Sequence, residues 1–302
     1  QHFEVLPLDT LVGRLKEGRQ IPPRQLAITF DDGYADNYTC AYPVLKQHDL
    51  PATIFLATAF VGTHHRFWWD TLAGLVKALR EHPVEWEALP HSLFPLRLKR
   101  LLKRAASGHS TLTPLTDYLK GRGPRCTREV LEHLEKWLGA RSHSPARRLF
   151  LSWQEIREMS ANGIAFGSHS HTHAILTAIP DAQLAAELMD SRRLIREHLG
   201  MDATAFSYPD GCLDDRVRRH VVQAGYEYAV QTNRALPGGP PDVHALHRRM
   251  VKEGHSQGFF NEFSPAVFAL ELLGVFDRLA LRDLRRTDPY AGSPRGPAGG
   301  RQ

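Results

Sequence analysis

Hydrophobic and polar positions change period in blocks along this chain. The first block is Leu26-Ala27-Ile28-Thr29-Phe30, an apolar, partly β-branched run that predicts a buried strand ending abruptly in Asp31-Asp32-Gly33. Asp36 to His48 carries a helical pattern that Pro43 would kink or split. Pro51 to Leu56 predicts a second strand, and strand, helix, strand with short connections indicates parallel βαβ packing. From Gly62 to Phe150 the pattern turns helical, with Trp68, Trp69, a basic run from Arg97 to Arg104 and a helix over Leu131 to Leu138. No Gly/Ser-rich linker frames it, so residues 63–150 read as a helical insertion between early strands.

Alternation resumes at Ser152. Ser152-Trp153-Gln154-Glu155 is a capping box, and the helix it opens closes at Asn162-Gly163. Ile164 to Ser168 is the next strand and runs directly into His169-Ser170-His171-Thr172-His173. After Pro180, Leu184, Leu188, Ile195 and Leu199 share one helix face and Gly200 stops it. Ala205 to Pro209 is a strand ending in Asp210-Gly211, Asp214 to Ala224 a helix, Tyr226 to Gln231 a strand, and Leu246 to Val251 the last strand. Ser264-Pro265 marks the start of a terminal helix reaching about Leu281, with Leu270 and Leu273 placed to pack on the core. Repeated β-then-α units with polar residues at the strand ends predict an α/β barrel whose site lies at the C-terminal face. An open doubly wound sheet shares this periodicity. Residues 1–285 read as one catalytic domain and 286–302, rich in Arg, Gly and Pro, as a disordered tail.

Composition narrows the function classes. The formal charge of +5 favours anionic partners at long range, but no arginine-rich helix interleaved with aromatics accompanies it, so nucleic acid is not an expected partner. Cys40, Cys126 and Cys212 are far apart without a C-x-x-C pair, which argues against a disulfide framework and against a zinc ribbon. No apolar run of about 18 residues predicts a membrane span. Gln1-His2-Phe3-Glu4 shows no signal-peptide pattern, and the expectation is a cytoplasmic protein.

The histidines and aspartates carry the chemistry. His169 and His173 would present two imidazoles to one metal if their segment bends like a helical turn; if it stays extended, His169, His171 and His173 share a face as three nitrogen ligands. Asp31 and Asp32 straddle a strand end. Metal-assisted hydrolysis needs one hard oxygen ligand and one free base, roles that adjacent carboxylates can divide.

Thr29-Phe30-Asp31-Asp32-Gly33 resembles the T-F-D-D-G motif of polysaccharide deacetylases, the fourth carbohydrate esterase family with chitooligosaccharide deacetylase homology. His169 to His173 resembles that family's H-[ST]-x-x-H, and Phe206 to Gly211 its F-x-Y-P-x-G variant, in the family order. The resemblance covers roughly residues 10 to 255. It implies a distorted (β/α)7 barrel that removes N-acetyl groups from a glycan or glycan precursor. It also implies Asp31 as general base, and one divalent metal ion, Zn²⁺ by preference, on Asp32, His169 and His173, with His171 only a neighbour. The oxyanion would be held by the metal and by the Tyr208-Pro209-Asp210 segment, through the backbone N–H of Asp210.

Two family residues have no match. Ser207 stands where an arginine usually orients the base, and Arg248 is the expected substitute; the L-x-H that supplies a histidine acid is missing, with His244 and His247 the nearest candidates. Alternation on a regular strand puts Arg248 and His247 on opposite faces, which favours His244. O-acetyl ester hydrolysis and a non-catalytic glycan-binding barrel are the rival readings.

Overall fold

The computed structural model describes residues 3–22, 24–82, 85–139, 148–232, 241–251 and 263–272. The chain opens with β1 (Glu4–Val5), α1 (Leu8–Lys16) and β2 (Gln25–Leu26), the two strands pairing in parallel. β2 runs through Ala27 into β3 (Ile28–Phe30), so the two form one strand line with a break. A wide π turn at Asn37–Ala41 then leads into α2 (Tyr42–Gln47), which carries Pro43 in its first turn. The helical pattern of Asp36 to His48 is thus split, because proline brings no N–H to continue an upstream ladder.

β4 (Ala52–Leu56) follows, and then the insertion: α3 (Trp68–Glu81), α4 (Leu96–Ala106), α5 (Thr113–Arg122) and α6 (Pro124–Leu138). α6 begins earlier than its apolar pattern, at a proline in the first helical position. These helices have their own core, including Leu72, Leu75, Leu98, Leu102, Leu119 and Leu134. The basic run forms the outer face of α4, which packs within this insertion core rather than on the sheet. Lys99 alone of its cations is buried, with Nζ donating to the Leu89 carbonyl at 2.7 Å.

α7 (Trp153–Ala161), β5 (Ile164–Ser168), α8 (Asp181–Leu199), β6 (Ala205–Ser207), α9 (Asp215–Gln223), β7 (Tyr228–Gln231) and β8 (Leu246–His247) complete the alternation. The Ser152–Glu155 capping box starts α7, and Gly200 closes α8 in the left-handed conformation. From β3 to β8 the strands pair in parallel in strict chain order. With β1 beside β2/β3, this is the curled parallel sheet of a distorted (β/α)7 barrel. α10 (Pro265–Leu272) is the terminal helix. Its expected extension to Leu281, the packing of Leu270 and Leu273, and the 286–302 tail lie outside the described residues. No helix among the described residues is long and apolar enough to cross a membrane.

β4, β6 and β7 are buried on both faces, which is why they read as continuous apolar runs, whereas β3, expected to be buried, lies at the sheet's edge and is half-buried. Ile54 and Leu56 of β4 face outward into a core with Ile156, Leu184, Leu188, Ile195 and Val217 of the surrounding helices. Phe55 faces inward with Ala205, Tyr228 and Val230, and Leu8 and Val12 of α1 close that inner side. Phe55 is fully buried, worth roughly 1.5–3 kcal/mol, and its ring fits because its neighbour in register is Gly167. A Cβ at Gly167 would lie 2.7 Å from that ring and 2.9 Å from the Ala205 carbonyl oxygen. Gly167→Ala is therefore expected to destabilise the fold by about 1–3 kcal/mol through overpacking, measured as a lowered denaturant midpoint; an unchanged midpoint would mean that the inner layer can yield.

Candidate active site

Strand alternation sends one set of side chains to the inner mouth of the sheet: Thr29 within β3 and Asp31 just after it, His169 after β5, Ser207 at the end of β6, and Arg248 after β8. Arg248 is the hub. Its Nη1 donates to Asp31 Oδ1 at 2.8 Å and Thr29 Oγ1 at 2.9 Å, and its Nη2 to Asp31 Oδ2 at 2.6 Å and Ser207 Oγ at 2.8 Å. Its guanidinium lies 5.3 Å from the centre of the Phe55 ring. Burial by itself would raise the Asp31 carboxyl, but His169, Arg248 and Ser207 together outweigh it and hold that group down at about 2. Asp31 is thus a fixed anion, gripped on both oxygens.

Asp32 and Gly33 both adopt left-handed backbone conformations, with φ of 72° and 76°. This turn is what lets adjacent carboxylates share one mouth, which an extended strand forbids. Asp32 Oδ1 then sits 3.6 Å from His169 Nε2 and 3.4 Å from His173 Nε2. That oxygen is buried without a hydrogen-bond partner. Burial, together with the charges of Asp31, Asp210 and Asp70, raises the Asp32 carboxyl to about 6 despite the opposing influence of His169. An orphaned, reluctant carboxylate between two imidazole nitrogens has the electrostatics of a cation site. The two carboxylate–imidazole distances fit as well, since bonds of about 2.0–2.2 Å in tetrahedral geometry hold donors roughly 3.3–3.5 Å apart.

The H-S-H-T-H segment turns rather than extending. Ser170 and His173 have φ of 63° and 59°, and the His173 N–H donates to Ser170 Oγ at 3.0 Å. His171 is thereby carried away from the cluster, its Nδ1 3.0 Å from Thr58 Oγ1. Among the described residues, the groups that could hold one ion are Asp32, His169 and His173. His169 Nδ1 lies 2.8 Å from the Ser207 carbonyl oxygen. A carbonyl only accepts, so Nδ1 carries the proton and Nε2 keeps its lone pair for a metal. Burial and the neighbouring His169 push His173 below its ordinary value, so its ring stays neutral. The loop is held from α8 by buried Glu187, which accepts the N–H groups of His171 at 2.9 Å and Thr172 at 2.7 Å, and the Thr172 hydroxyl.

The third motif is placed differently from its expectation. The Tyr208 side chain is buried in the outer core, its hydroxyl donating to the His244 carbonyl at 2.8 Å, and its N–H donates to Val230 O at 3.1 Å. Pro209 has no N–H, so of the three residues expected to meet an oxyanion only Asp210, with φ of 54°, keeps an N–H not spent on the sheet. Neither candidate acid histidine reaches the carboxylates. His247 is exposed on the outer face, its Nε2 3.3 Å from Gln231 Nε2. His244 Nε2 is 3.2 Å from the carbonyl of Tyr226, which precedes β7 and so marks the opposite end of the sheet.

A cleft of about 430 Å³ opens from Asp32, His173 and Asp210 and is walled on the other side by the insertion, through Trp68, Trp69 and Asp70 of α3 and Thr113, Thr116 and Lys120 of α5. Trp69 Nε1 donates to the Tyr34 hydroxyl at 2.9 Å, and that hydroxyl donates to Asp70, 3.1 Å from both oxygens. Lys120 Nζ lies 2.7 Å from Asp210 Oδ1 across the cleft. Sequence reasoning missed Glu187 and Lys120, since neither sits in a motif. Only the i, i+3, i+7 spacing of Thr113, Thr116 and Lys120, a polar stripe on one helix face, hinted at the second.

Known proteins resemble this chain in sequence and in fold. YxkH of Bacillus subtilis (strain 168), assigned as a polysaccharide deacetylase, is 22% identical over 249 residues, covering 82% of this chain and 59% of that protein. Chitin deacetylase 1 of Cryptococcus neoformans var. grubii is 30% identical over 127 residues, covering 42% of this chain and 24% of that protein. The chain thus spans less than two thirds of the length of either relative. IcaB from Ammonifex degensii shares the fold, with a TM-score of 0.51 at 16% identity over 83% of this chain and 77% of that one. The polysaccharide deacetylase family model matches residues 18–229, which encloses both carboxylates, the histidine turn and the third motif, and the chain belongs to that family.

Proposed function

We propose that the chain is a metal-dependent hydrolase that removes N-acetyl groups from a glycan or glycan precursor. The observation that carries this reading is the buried, partnerless Asp32 Oδ1 between the Nε2 atoms of His169 and His173, with the Asp31–Arg248 pair beside it. Two imidazoles and a carboxylate are a donor set that zinc takes in hydrolytic sites. When bound there, such an ion supplies Lewis-acid polarisation of the acetyl carbonyl and an acidified water.

The residues divide the remaining work. Asp31 accepts the proton of the attacking water on a lone pair that the Arg248 fork leaves over. Its low proton affinity makes it a modest base, so its value lies in constant ionisation and fixed aim. Arg248 keeps its own proton, orients Asp31 and shields it from the other charges of the site. His169 is aimed by the Ser207 carbonyl. Trp68 and Trp69 offer apolar surface at the cleft where a sugar ring can stack. A second reading, O-acetyl ester hydrolysis, is favoured by the placement of His244 and His247 away from the site, because an alkoxide needs less help from an acid than an amine does. Acetate release from N-acetylated and O-acetylated sugars separates the two.

Metal analysis of purified protein is expected to find one divalent ion per chain, lost in His169→Ala and His173→Ala and kept in His171→Ala. Loss in His171→Ala with retention in Asp32→Ala would replace this ligand set by the three-histidine one. Asp31→Asn is expected to keep the metal and lose turnover by on the order of 10²–10⁴; a fully active variant removes Asp31 as base. Arg248→Lys keeps a charge but cannot grip both carboxylate oxygens together with Thr29 and Ser207. Its kcat is expected to fall about 10- to 100-fold with KM little changed, and steady-state kinetics showing a pure KM effect would contradict the positioning role.

A further inference from the structure

We propose that Lys120, supplied by the helical insertion, is the acid that protonates the leaving nitrogen. This rests on the N-deacetylation reading above. An amide nitrogen cannot depart as its anion in water, so a proton donor must stand by the breaking bond. The histidines that the sequence offers for that task lie on the outer face and at the far end of the sheet. His169 and His173 are committed to the metal. Among the described residues that line the cleft, Lys120 is the one cationic side chain.

Its placement suits the task. Lys120 projects from α5 to within 2.7 Å of Asp210 Oδ1. Asp210 in turn stands close enough to Asp32 and His173 that its charge acts on both. The cleft therefore runs from the metal ligands to the Lys120 ammonium. Asp31 belongs to the barrel side and Lys120 to the insertion side, so an acetamide bound between them meets the base on one flank and the acid on the other. Asp70 shares the cleft, but the Tyr34 hydroxyl is shared between its two oxygens, which makes it the anchor for Tyr34 and Trp69. Thr113 and Thr116 line the cleft on the same face of α5; the Thr116 hydroxyl donates to the Thr113 carbonyl at 2.8 Å and keeps its lone pairs to accept from a sugar hydroxyl.

The step balances without a further reagent. Water adds its oxygen to the acetyl carbon and gives a proton to Asp31. As the carbon–nitrogen bond breaks, its electron pair stays on nitrogen and takes a proton from the Lys120 ammonium, releasing the amine and acetic acid. Neutral Lys120 then regains a proton, and Asp31 loses one, through solvent.

A simple bridge pinning the insertion to the barrel is the competing role for Lys120, although a pair this exposed does little for stability. Lys120→Arg separates the two. Arginine keeps the charge and can keep the bridge to Asp210, but it does not give up its proton. The probes are N-acetylated chito-oligosaccharides of two to five sugars and 4-nitrophenyl acetate, whose leaving group needs no protonation. Both Lys120→Arg and Lys120→Met are expected to lose amide turnover by on the order of 10²–10³ while ester turnover stays within about threefold and the metal content is unchanged. Should Lys120→Met fail to fold, Lys120→Arg carries the comparison. Lys120→Arg with wild-type amide turnover, or with equal losses on amide and ester, overturns the assignment alone. A wild-type protein that cleaves the ester but releases no acetate from the amides overturns the N-deacetylation reading and this proposal with it.

Discussion

The pair between Asp31 and Arg248 is the interaction on which the site depends. Asp31 follows β3 and Arg248 follows β8, the two edges of the six-stranded sheet. Curling brings those edges together, and the guanidinium fork joins them across the mouth with four hydrogen bonds. Beneath it the Phe55 ring fills the inner layer, and the absent side chain of Gly167 gives that ring its room. Such a pair contributes little net stability over an apolar substitute, yet removing one partner strands the other at a cost of about 3–5 kcal/mol. What it contributes is a carboxylate whose charge and direction are settled before any substrate arrives.

The second constraint is local backbone strain gathered in one place. Asp32, Ser170, His173 and Asp210 all have positive φ, which costs a non-glycine residue on the order of 1–3 kcal/mol. Each departure from regular geometry turns a side chain or loop toward the same mouth. The cost is offset by nearby groups: Glu187 takes the free N–H groups of the histidine turn, and the Ser170 hydroxyl takes that of His173. A buried carboxylate bound to three donors in one loop is a rigid brace, and it keeps the two imidazoles near one point.

The insertion has a separate logic. Its four helices bury their own leucines against one another and need the sheet for only part of their cover. A unit that stabilises itself in this way can present a wall to the site without disturbing the barrel beneath. Trp69 is tied to the barrel through Tyr34, the residue that follows the Asp31-Asp32-Gly33 turn, so the wall and the side that carries Asp32 share a joint.

Much of this was legible in the chain itself. Strand alternation, the capping box, Gly200 and the polar strand ends implied a parallel α/β barrel, since each follows from short-range backbone geometry. Alternation also implied that Arg248 and His247 face opposite ways. The turn at Ser170 that separates His171 from its two neighbours was not decidable, because extended and bent backbones both satisfy an H-x-H-x-H spacing. It took Glu187, Thr58 and the Asp32 carboxylate, all remote in sequence, to select the bend. The assignment of Tyr208 to the outer core, the distance of His244 from the mouth, and the arrival of Lys120 at Asp210 were likewise decided only by tertiary structure. Residue type and spacing determine which chemistry a segment can offer; which groups meet is set by sheet curling and helix packing, whose contacts span tens to hundreds of positions.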